Sequence, residues 1–380
     1  MDEKRKRTWL EIDLDAIEHN VREIRRVLPE GCRFLGVVKA DAYGHGAVPV
    51  ARRLERCGAA YLAVACLEEA LALREAGITL PILILGATEA GDAAVMARQN
   101  ITAALECEEK ALAYAAALPR GLRLRVHVKL DTGMGRIGLT GETPGDCADT
   151  IQDMTLLRNL KIEGIYTHFA VADMPEDPEQ NAYTEAQKQF ILAVGKELQQ
   201  RGVHLKHLHY LNSAGLLYHN DAGSTLARVG IIMYGLAPNY PLPVPLDLKP
   251  VLSLKAVISH IKRVQPGTSI SYGRTFRADR RMKIATVTVG YADGYSRLLS
   301  SKADVLVKGK RCRIVGRICM DQLMLDVTDI DDLCSGEIVT LIGQDGTERI
   351  TADELASLYG TIGYEVVCGI SKRVPRIYVD

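Results

Sequence analysis

The chain has 380 residues, 47% of them apolar, enough for one large domain or two of ordinary size with a sizeable core. Lysine plus arginine and aspartate plus glutamate both number 47, so the formal net charge is zero and no basic field exists to gather nucleic acid. Nine cysteines, at 32, 57, 66, 107, 147, 312, 319, 334 and 368, are odd in number and hold no C-x-x-C pair, which speaks against a disulfide scaffold or a zinc site and for a reducing cytoplasm.

The first residues, "MDEKRKRTWLEIDLD", carry charge with no apolar stretch behind it, so no signal peptide is expected. No apolar run approaches the ~18 residues of a membrane span. The cluster Lys4 to Arg7 reads as a solvated terminus, with a juxtamembrane segment of a longer parent as the weaker reading. Short β-rich apolar runs follow at Phe34–Val38, Tyr61–Ala65, Pro81–Leu85, Ile101–Leu105, Leu124–Leu130, Ile162–His168, His207–Leu211 and Leu226–Gly230. Stretches with 3.6-residue apolar spacing lie between them at Val48–Gly58, Leu67–Gly77 and Glu185–Gly202, each ending in glycine. Eight β/α units over ~200 residues predict a closed (β/α)8 TIM-type barrel before an open sheet.

"NYPLPVPLDLKP", Asn239 to Pro250, has the prolines of a linker. Beyond it, alternating strands joined by glycine and aspartate turns predict a mostly β C-terminal domain. It contains one short helix in "ITADELASLYG", with Thr351 as N-cap and Glu354 completing a capping box. The expected division is a barrel over 14–245 and a β-rich domain over 246–380, joined by the N-terminal strand within 1–13.

Barrel enzymes place their chemistry at the C-terminal ends of the strands and hold phosphate near strands seven and eight. Strand one ends at Lys39, followed by Tyr43. Strand five ends at Lys129 and runs into "LDTGMGRIG" with Arg136. Strand six ends in Thr167-His168, strand seven in Asn212-Ser213, and strand eight in "ARVGI" with Arg228, Gly230 and Ile231. One polar strand tip means little; five of eight is a pattern. A lysine leaving the core is costly unless its charge is paired or removed, and joining it to an aldehyde removes it. Phosphate donors on strands seven and eight, that lysine and the arginine between them point to pyridoxal 5′-phosphate. No metal is implied. "GMGRIG", Gly133 to Gly138, matches a dinucleotide fingerprint literally, but proline and glycine in "LTGETPGD" bar an immediate helix, and the strand is about the fifth.

"VVKADAYGHG", "VHVKLDTGMGRIG", "THFAVAD", "LNSAG", "ARVGIIMYG", "SYGRTF", "VGYADGY", "GRICMDQLMLDVT" and "TIGYEVVCGISKRVPRIY" occur in order over nearly the whole chain. In these the sequence resembles the alanine racemases. The resemblance implies a homodimer with shared active sites, Lys39 as cofactor lysine and first acid/base, and Tyr272 as second acid/base from the partner subunit. It implies phosphate contacts from Tyr43, Ser213, Gly230, Ile231 and Tyr364, with Asn212 at the same strand tip. Arg136 supports the cofactor phenolic oxygen, Lys129, often carbamylated in relatives, positions Arg136, and Arg228 meets the pyridine nitrogen with His168 behind it. The Met320 backbone, with Arg136 and Tyr272, faces the substrate. Tyr291, Arg317, Ile362 and, more weakly, Asp173 lie along the substrate's way in.

Read without the family, Tyr272 is a turn tyrosine, His168 a satisfied buried histidine, Lys129 a partner for Asp131, Cys319 a packed small hydrophobe and Asp293 a turn residue before Gly294. Racemisation needs one group on each face of Cα. An arginine against the ring nitrogen can only donate, so it leaves that nitrogen unprotonated and disfavours transamination. Tyr364 is bulky and favours a methyl side chain, so alanine is the expected substrate, with D-alanine supplied to cell-wall peptidoglycan. A serine-preferring racemase is the alternative; one methyl or hydroxyl discriminates only ~1–3 kcal/mol. Gly363 stands where relatives commonly have asparagine, which loosens the loop carrying Tyr364. A non-catalytic cofactor carrier lacks a β domain and a second base, and a barrel decarboxylase of basic amino acids needs an acidic partner for the ring nitrogen where this chain has Arg228.

Overall fold

The computed structural model describes residues 7–239 and 241–380. Within it the chain divides into two compact units. Among the described residues, one contains Ile17–Ala42 and those of 47–249; the other contains 7–16, Tyr43–Gly46 and Pro250–Asp380.

The first unit is an eight-stranded parallel sheet, nearly closed into a barrel. Its strands are Arg33–Val37, Tyr61–Val64, Ile82–Ile84, Ile101–Leu105, Leu124–Lys129, Leu160–Tyr166, His207–His209 and Leu226–Val229, each beside the next, as their apolar runs predict. The eighth returns to pair with the first, Leu35 opposite Arg228. The seventh and eighth meet without a regular ladder, through Thr225 N–H to Leu208 O at 2.8 Å and Arg228 N–H to Leu211 O at 2.9 Å. Every residue of Tyr61–Val64, Ile82–Ile84 and Ile101–Leu105 is buried, as expected of strands covered on both faces.

Helices cover the barrel between most strands. The longest, Pro178–Gln200, starts seven residues before its apolar periodicity does. Asp177 caps it, accepting from the N–H groups of Glu179 and Gln180, and Pro178 occupies the first turn, where it loses no hydrogen bond. The helix after the Gly133–Gly138 loop opens only at Pro144, with Thr143 and Asp146 in a reciprocal capping box, so those glycines do not open a helix.

The second unit is mostly β. Thr8–Asp13 runs antiparallel to Leu252–Val264 and parallel to Arg376–Val379. Leu252–Val264 serves two further partners, Met282–Val287 and Ile338–Asp345, with irregular register at Ile258/His260 and Leu254/Lys255 that lets one strand change neighbours. Val264, Ile270, Met282, Ile284, Val315 and Met324 form a core here, with Cys319 packed against it. The expected linker, 239–250, contains no helix or strand among its described residues. Thr351 caps the helix Ala352–Tyr359 as predicted, accepting from Glu354 N–H at 3.0 Å. The reciprocal half of that box is absent, because the Glu354 carboxylate is held by Arg311 at 2.6 Å instead.

Lys4 to Lys6 lie outside the described residues, but Arg7 departs from the solvated terminus expected of it. It forks onto the carboxylate of Asp293, at 2.6 and 2.7 Å. All nine cysteines are free thiols, and among the described residues no cluster suited to a metal and no helix long and apolar enough to cross a membrane is found.

Candidate active site

Lys39 follows the first barrel strand and is half-buried. The four residues after it, Ala40, Asp41, Ala42 and Tyr43, all have φ of 52–53°. A left-handed turn without glycine costs about 1–2 kcal/mol per residue, so other contacts must hold it. Ala42 N–H donates to Val38 O at 2.9 Å, Ala40 N–H to Glu69 Oε1 at 2.6 Å, and Ala47 N–H to Asp41 Oδ1 at 2.7 Å. Glu69 Oε2 also accepts from Ala65 at the second strand's end. The turn fixes the direction in which Lys39 leaves the barrel.

The loop bearing Arg136 is built on one carboxylate. Asp131 accepts from the N–H groups of Gly133, Gly135 and Arg136 at 3.1, 3.0 and 2.9 Å. Its burial opposes ionisation, but those amides and Lys129 outweigh it and hold the carboxyl below its ordinary range. Gly138, at φ 138°, is obligatory: a Cβ there stands 2.6 Å from Asp131 N. Lys129 is buried and donates to Leu130 O at 2.7 Å, with its ammonium 5.7 Å from the Tyr166 ring centre. Desolvation, then the charge of Arg228, pulls its pKa down to about 8.

Arg228 is buried at the end of the eighth strand. Nη1 donates to His209 O and to His209 Nδ1, each at 3.1 Å, and Nη2 donates to Thr167 O at 2.7 Å and Tyr210 O at 3.3 Å. His168 Nδ1 lies 3.4 Å from Nη2, and the guanidinium sits 5.4 Å from the Tyr166 ring centre. Burial and the Arg228 charge push both His168 and His209 well below the usual imidazole range, so both are neutral. His209 is the nearer partner and was not singled out in the sequence. It continues into the barrel through His127 Nδ1, 2.9 Å from His209 Nε2, with the His207 ring 5.4 Å beyond. Strand alternation carries the signal: Arg125, His127 and Lys129 share one face of the fifth strand, and His207 and His209 one face of the seventh.

At the seventh tip Asn212 caps the short helix Ser213–Tyr218, its Oδ1 accepting from Gly215 N–H at 2.7 Å. Ser213 is buried, and its Oγ accepts from Gly230 N–H at 3.0 Å. Ile231 opens the next turn. Asp173 is half-buried, and its carbonyl accepts from Asn239 at 2.9 Å.

In the other unit, Tyr43 and Tyr364 face one another with ring centres 6.4 Å apart. Tyr364 belongs to the helix Gly363–Cys368, and Gly363 is buried at its first position, its N–H donated to the Asp353 carboxylate. Tyr272 is 67% exposed, on a tight turn between Ser271 (φ 65°) and Gly273 (φ 70°). Ser271 Oγ donates to Arg317 O at 2.5 Å. Met320 is 53% exposed; the carbonyls of Cys319 and Met320 accept from Tyr291 and Ala292 N–H at 3.1 and 3.0 Å. Tyr291 and Ile362 are also exposed, and Arg317 is half-buried.

Residues 12–238 match the family described as alanine racemase, N-terminal domain, and residues 251–378 the alanine racemase C-terminal domain. The chain belongs to the alanine racemase family. It is 45% identical over 373 residues to the alanine racemase of Desulfovibrio desulfuricans, covering 98% of each. The crystal structure of alanine racemase from Bacillus anthracis with bound L-Ala-P is 41% identical, with a TM-score of 0.90 over 99% of this chain and 95% of that one. A histidine racemase from Leuconostoc mesenteroides is 30% identical, with a TM-score of 0.89 over 99% and 98%. The family's reaction interconverts L- and D-alanine with pyridoxal 5′-phosphate, and this chain is an isomerase of that kind. The barrel suits such a cofactor: a half-buried lysine at one strand tip, the Ser213–Gly230 pair at two others, and a donor-only guanidinium behind them.

Proposed function

We propose that alanine is the substrate and that two groups of this chain, Lys39 and Tyr272, move the proton at Cα on opposite faces. The observation that carries the reading is Arg228, a buried cation whose Nη groups are spent on His209, Thr167 and Tyr210. The cofactor, when bound, supplies an electron sink for the charge left at Cα. Arg228 can only donate, so it holds the ring nitrogen without a proton and limits that sink. The proton then returns to Cα rather than elsewhere.

Ser213, Gly230 and Ile231 hold the phosphate from the barrel side; Tyr43 and Tyr364 keep the phosphate role the resemblance gives them. Asn212 acts through its cap on the Ser213 helix. Arg136, set by Asp131, supports the phenolic oxygen, with Lys129 as a candidate for carbamylation. The Met320 N–H donates to no group among the described residues and is a ready donor for the substrate carboxylate. Lys39 serves the D-face and Tyr272, from a second copy of the chain in a homodimer, the L-face. A phenol is a weak base at neutral pH, so this role needs cationic or hydrogen-bonding help beside it. Tyr291, Arg317, Ile362 and Asp173 keep the entryway role the resemblance gives them. A cytoplasmic enzyme feeding peptidoglycan with D-alanine is the setting that fits.

Tyr364 favours a methyl group over a larger side chain; serine is the second reading, and the histidine racemase relative marks how far the fold extends. Incubation with L-alanine and a chiral assay must give D-alanine without CO2. Borohydride treatment must leave the cofactor attached at Lys39. Release of CO2, or a serine kcat/KM above that for alanine, overturns the respective part.

A further inference from the structure

We propose that Asp293 is the positioning residue of the substrate-carboxylate loop, holding the Met320 amide in place through two arginines and the Gly290–Ala292 turn. The proposal rests on the assignment of the Met320 N–H to the substrate carboxylate. Asp293 is 1% exposed, yet it is charged. Its Oδ1 accepts from Arg7 Nη1 at 2.6 Å and Arg373 Nε at 2.8 Å; its Oδ2 accepts from Arg7 Nη2 at 2.7 Å and Gly290 N–H at 2.9 Å. A carboxylate offers about four acceptor positions, and here all four are filled.

Each partner leads to the Met320 loop. Gly290 begins the turn whose next two amides, Tyr291 and Ala292, bind the carbonyls of Cys319 and Met320. A Cβ on Gly290 stands 2.4 Å from both carbonyl oxygens, so the turn and the loop are in direct backbone contact. Arg373 continues from Asp293 to Asp321 Oδ1 at 2.6 Å, and Arg7 reaches Asp321 O at 3.2 Å. Met320 is therefore held on both sides, its carbonyl by the turn and the following residue by the arginines. Its own N–H donates to no group among the described residues. Burial alone raises the carboxyl pKa of Asp293, but the hydrogen bonds of Arg7, Arg373 and Gly290 outweigh it and keep the group ionised.

Asn at 293 has one acceptor oxygen and places an N–H against donors that the carboxylate had satisfied: Arg7 Nη1, Arg373 Nε and Gly290 N–H, while both arginines keep their contacts to Asp321. In the holoenzyme, Asp293→Asn raises both the KM for L-alanine and the inhibition constant of propionate, the substrate without its amino group, by about tenfold. The cofactor absorption is unchanged and kcat falls far less than kcat/KM. Arg7 is partly exposed, so Arg7→Ala provides a second, milder variant that keeps Arg373 and Gly290; it raises the same two constants by about threefold. A folded Asp293→Asn holoenzyme, or Arg7→Ala where Asp293→Asn does not fold, with both constants at the wild-type value overturns the proposal. A wild-type enzyme that racemises alanine but is not inhibited by propionate removes instead the carboxylate reading on which it rests.

Discussion

Arg228 Nη1 lies 3.1 Å from Nδ1 of His209, and this contact fixes a proton on a ring one bond away from the guanidinium. Arginine only donates, so Nδ1 accepts and the neutral His209 carries its proton on Nε2. That N–H donates to Nδ1 of His127 at 2.9 Å, which places the His127 proton on its own Nε2. Tyr166 stacks on His209 with its ring centre 5.0 Å away and the planes 6° apart, preventing rotation of the imidazole. The guanidinium is thus oriented from behind by a tautomer series that admits one arrangement.

Replacing Arg228 by glutamate removes every one of these donations and, on the proposed role of Arg228, puts an acceptor where the ring nitrogen would meet it. Racemisation in Arg228→Glu falls on the order of 10²-fold or more. Pyruvate released from alanine, the sign of transamination, rises relative to D-alanine formed. Chiral assay and pyruvate detection on one sample decide it; a variant with no rise in that ratio shows that Arg228 does not control where the proton goes.

Burial lowers the pKa of His127 to about 3 and of His207 to about 4 in the folded chain, against ~6.5 for a free histidine. Both are neutral when folded, and the unfolded chain takes up their protons first as pH falls. Stability is therefore full above pH ~6.5 and declines on acidification toward the folded values, by up to ~1.4 kcal/mol per pH unit for each histidine. Urea midpoints between pH 8 and 5 measure this. The double variant His127→Asn/His207→Asn flattens the slope, and a wild-type midpoint that does not fall between pH 7 and 5 contradicts the neutral assignment.

The eight barrel strands were legible because short, mostly apolar runs mark strands buried on both faces. The tips were legible because polar residues end those runs. The turn Ala40–Tyr43 was not, since no glycine announces four left-handed residues. Asp293 read as a turn aspartate, and it is one, followed by Gly294 at φ 95°. Its pairing with Arg7 and Arg373 spans 286 and 80 positions, beyond any local pattern. His127 and His209 looked ordinary alone; only the fold, which sets the fifth and seventh strands on either side of the sixth, makes them a pair.

Lys129 is held near pKa 8, so close to half its amines are neutral at pH 8, and a neutral amine adds to CO2. The nitrogen forms a bond to carbon, one proton leaves, and a carboxylate replaces the ammonium charge. With ¹³C-bicarbonate, label on Lys129 rises from pH 6.5 to 8.5 and is absent in Lys129→Arg. Racemisation assayed after CO2 removal drops and recovers when bicarbonate returns. A wild-type enzyme fully active with no bound label excludes carbamylation as a working feature.

The Arg136 loop has a second anchor in the helix Pro178–Gln200, one turn apart on one face. Tyr183 donates its hydroxyl to Gly133 O at 2.7 Å. Gln187, buried, donates to Thr132 Oγ1 at 3.3 Å and His168 O at 3.2 Å and accepts from Ala170 N–H at 3.0 Å. Thr132 and Thr167 then meet hydroxyl to hydroxyl at 2.7 Å, closing strand five against strand six. One side chain from the outer layer thereby sets the spacing between the loop of Arg136 and the strand of His168. Gln187→Leu keeps the bulk and strands two polar groups, His168 O and Ala170 N–H, at about 1–3 kcal/mol for each that stays buried and unpaired, while Thr132 keeps Thr167. Its urea midpoint falls, and kcat/KM for alanine falls with it by on the order of tenfold as Arg136 loses its register. Tyr183→Phe, losing one exposed hydrogen bond, changes stability by about 1 kcal/mol or less. Equal kcat/KM in wild type and Gln187→Leu, measured on folded protein saturated with cofactor, shows that Asp131 alone positions the loop.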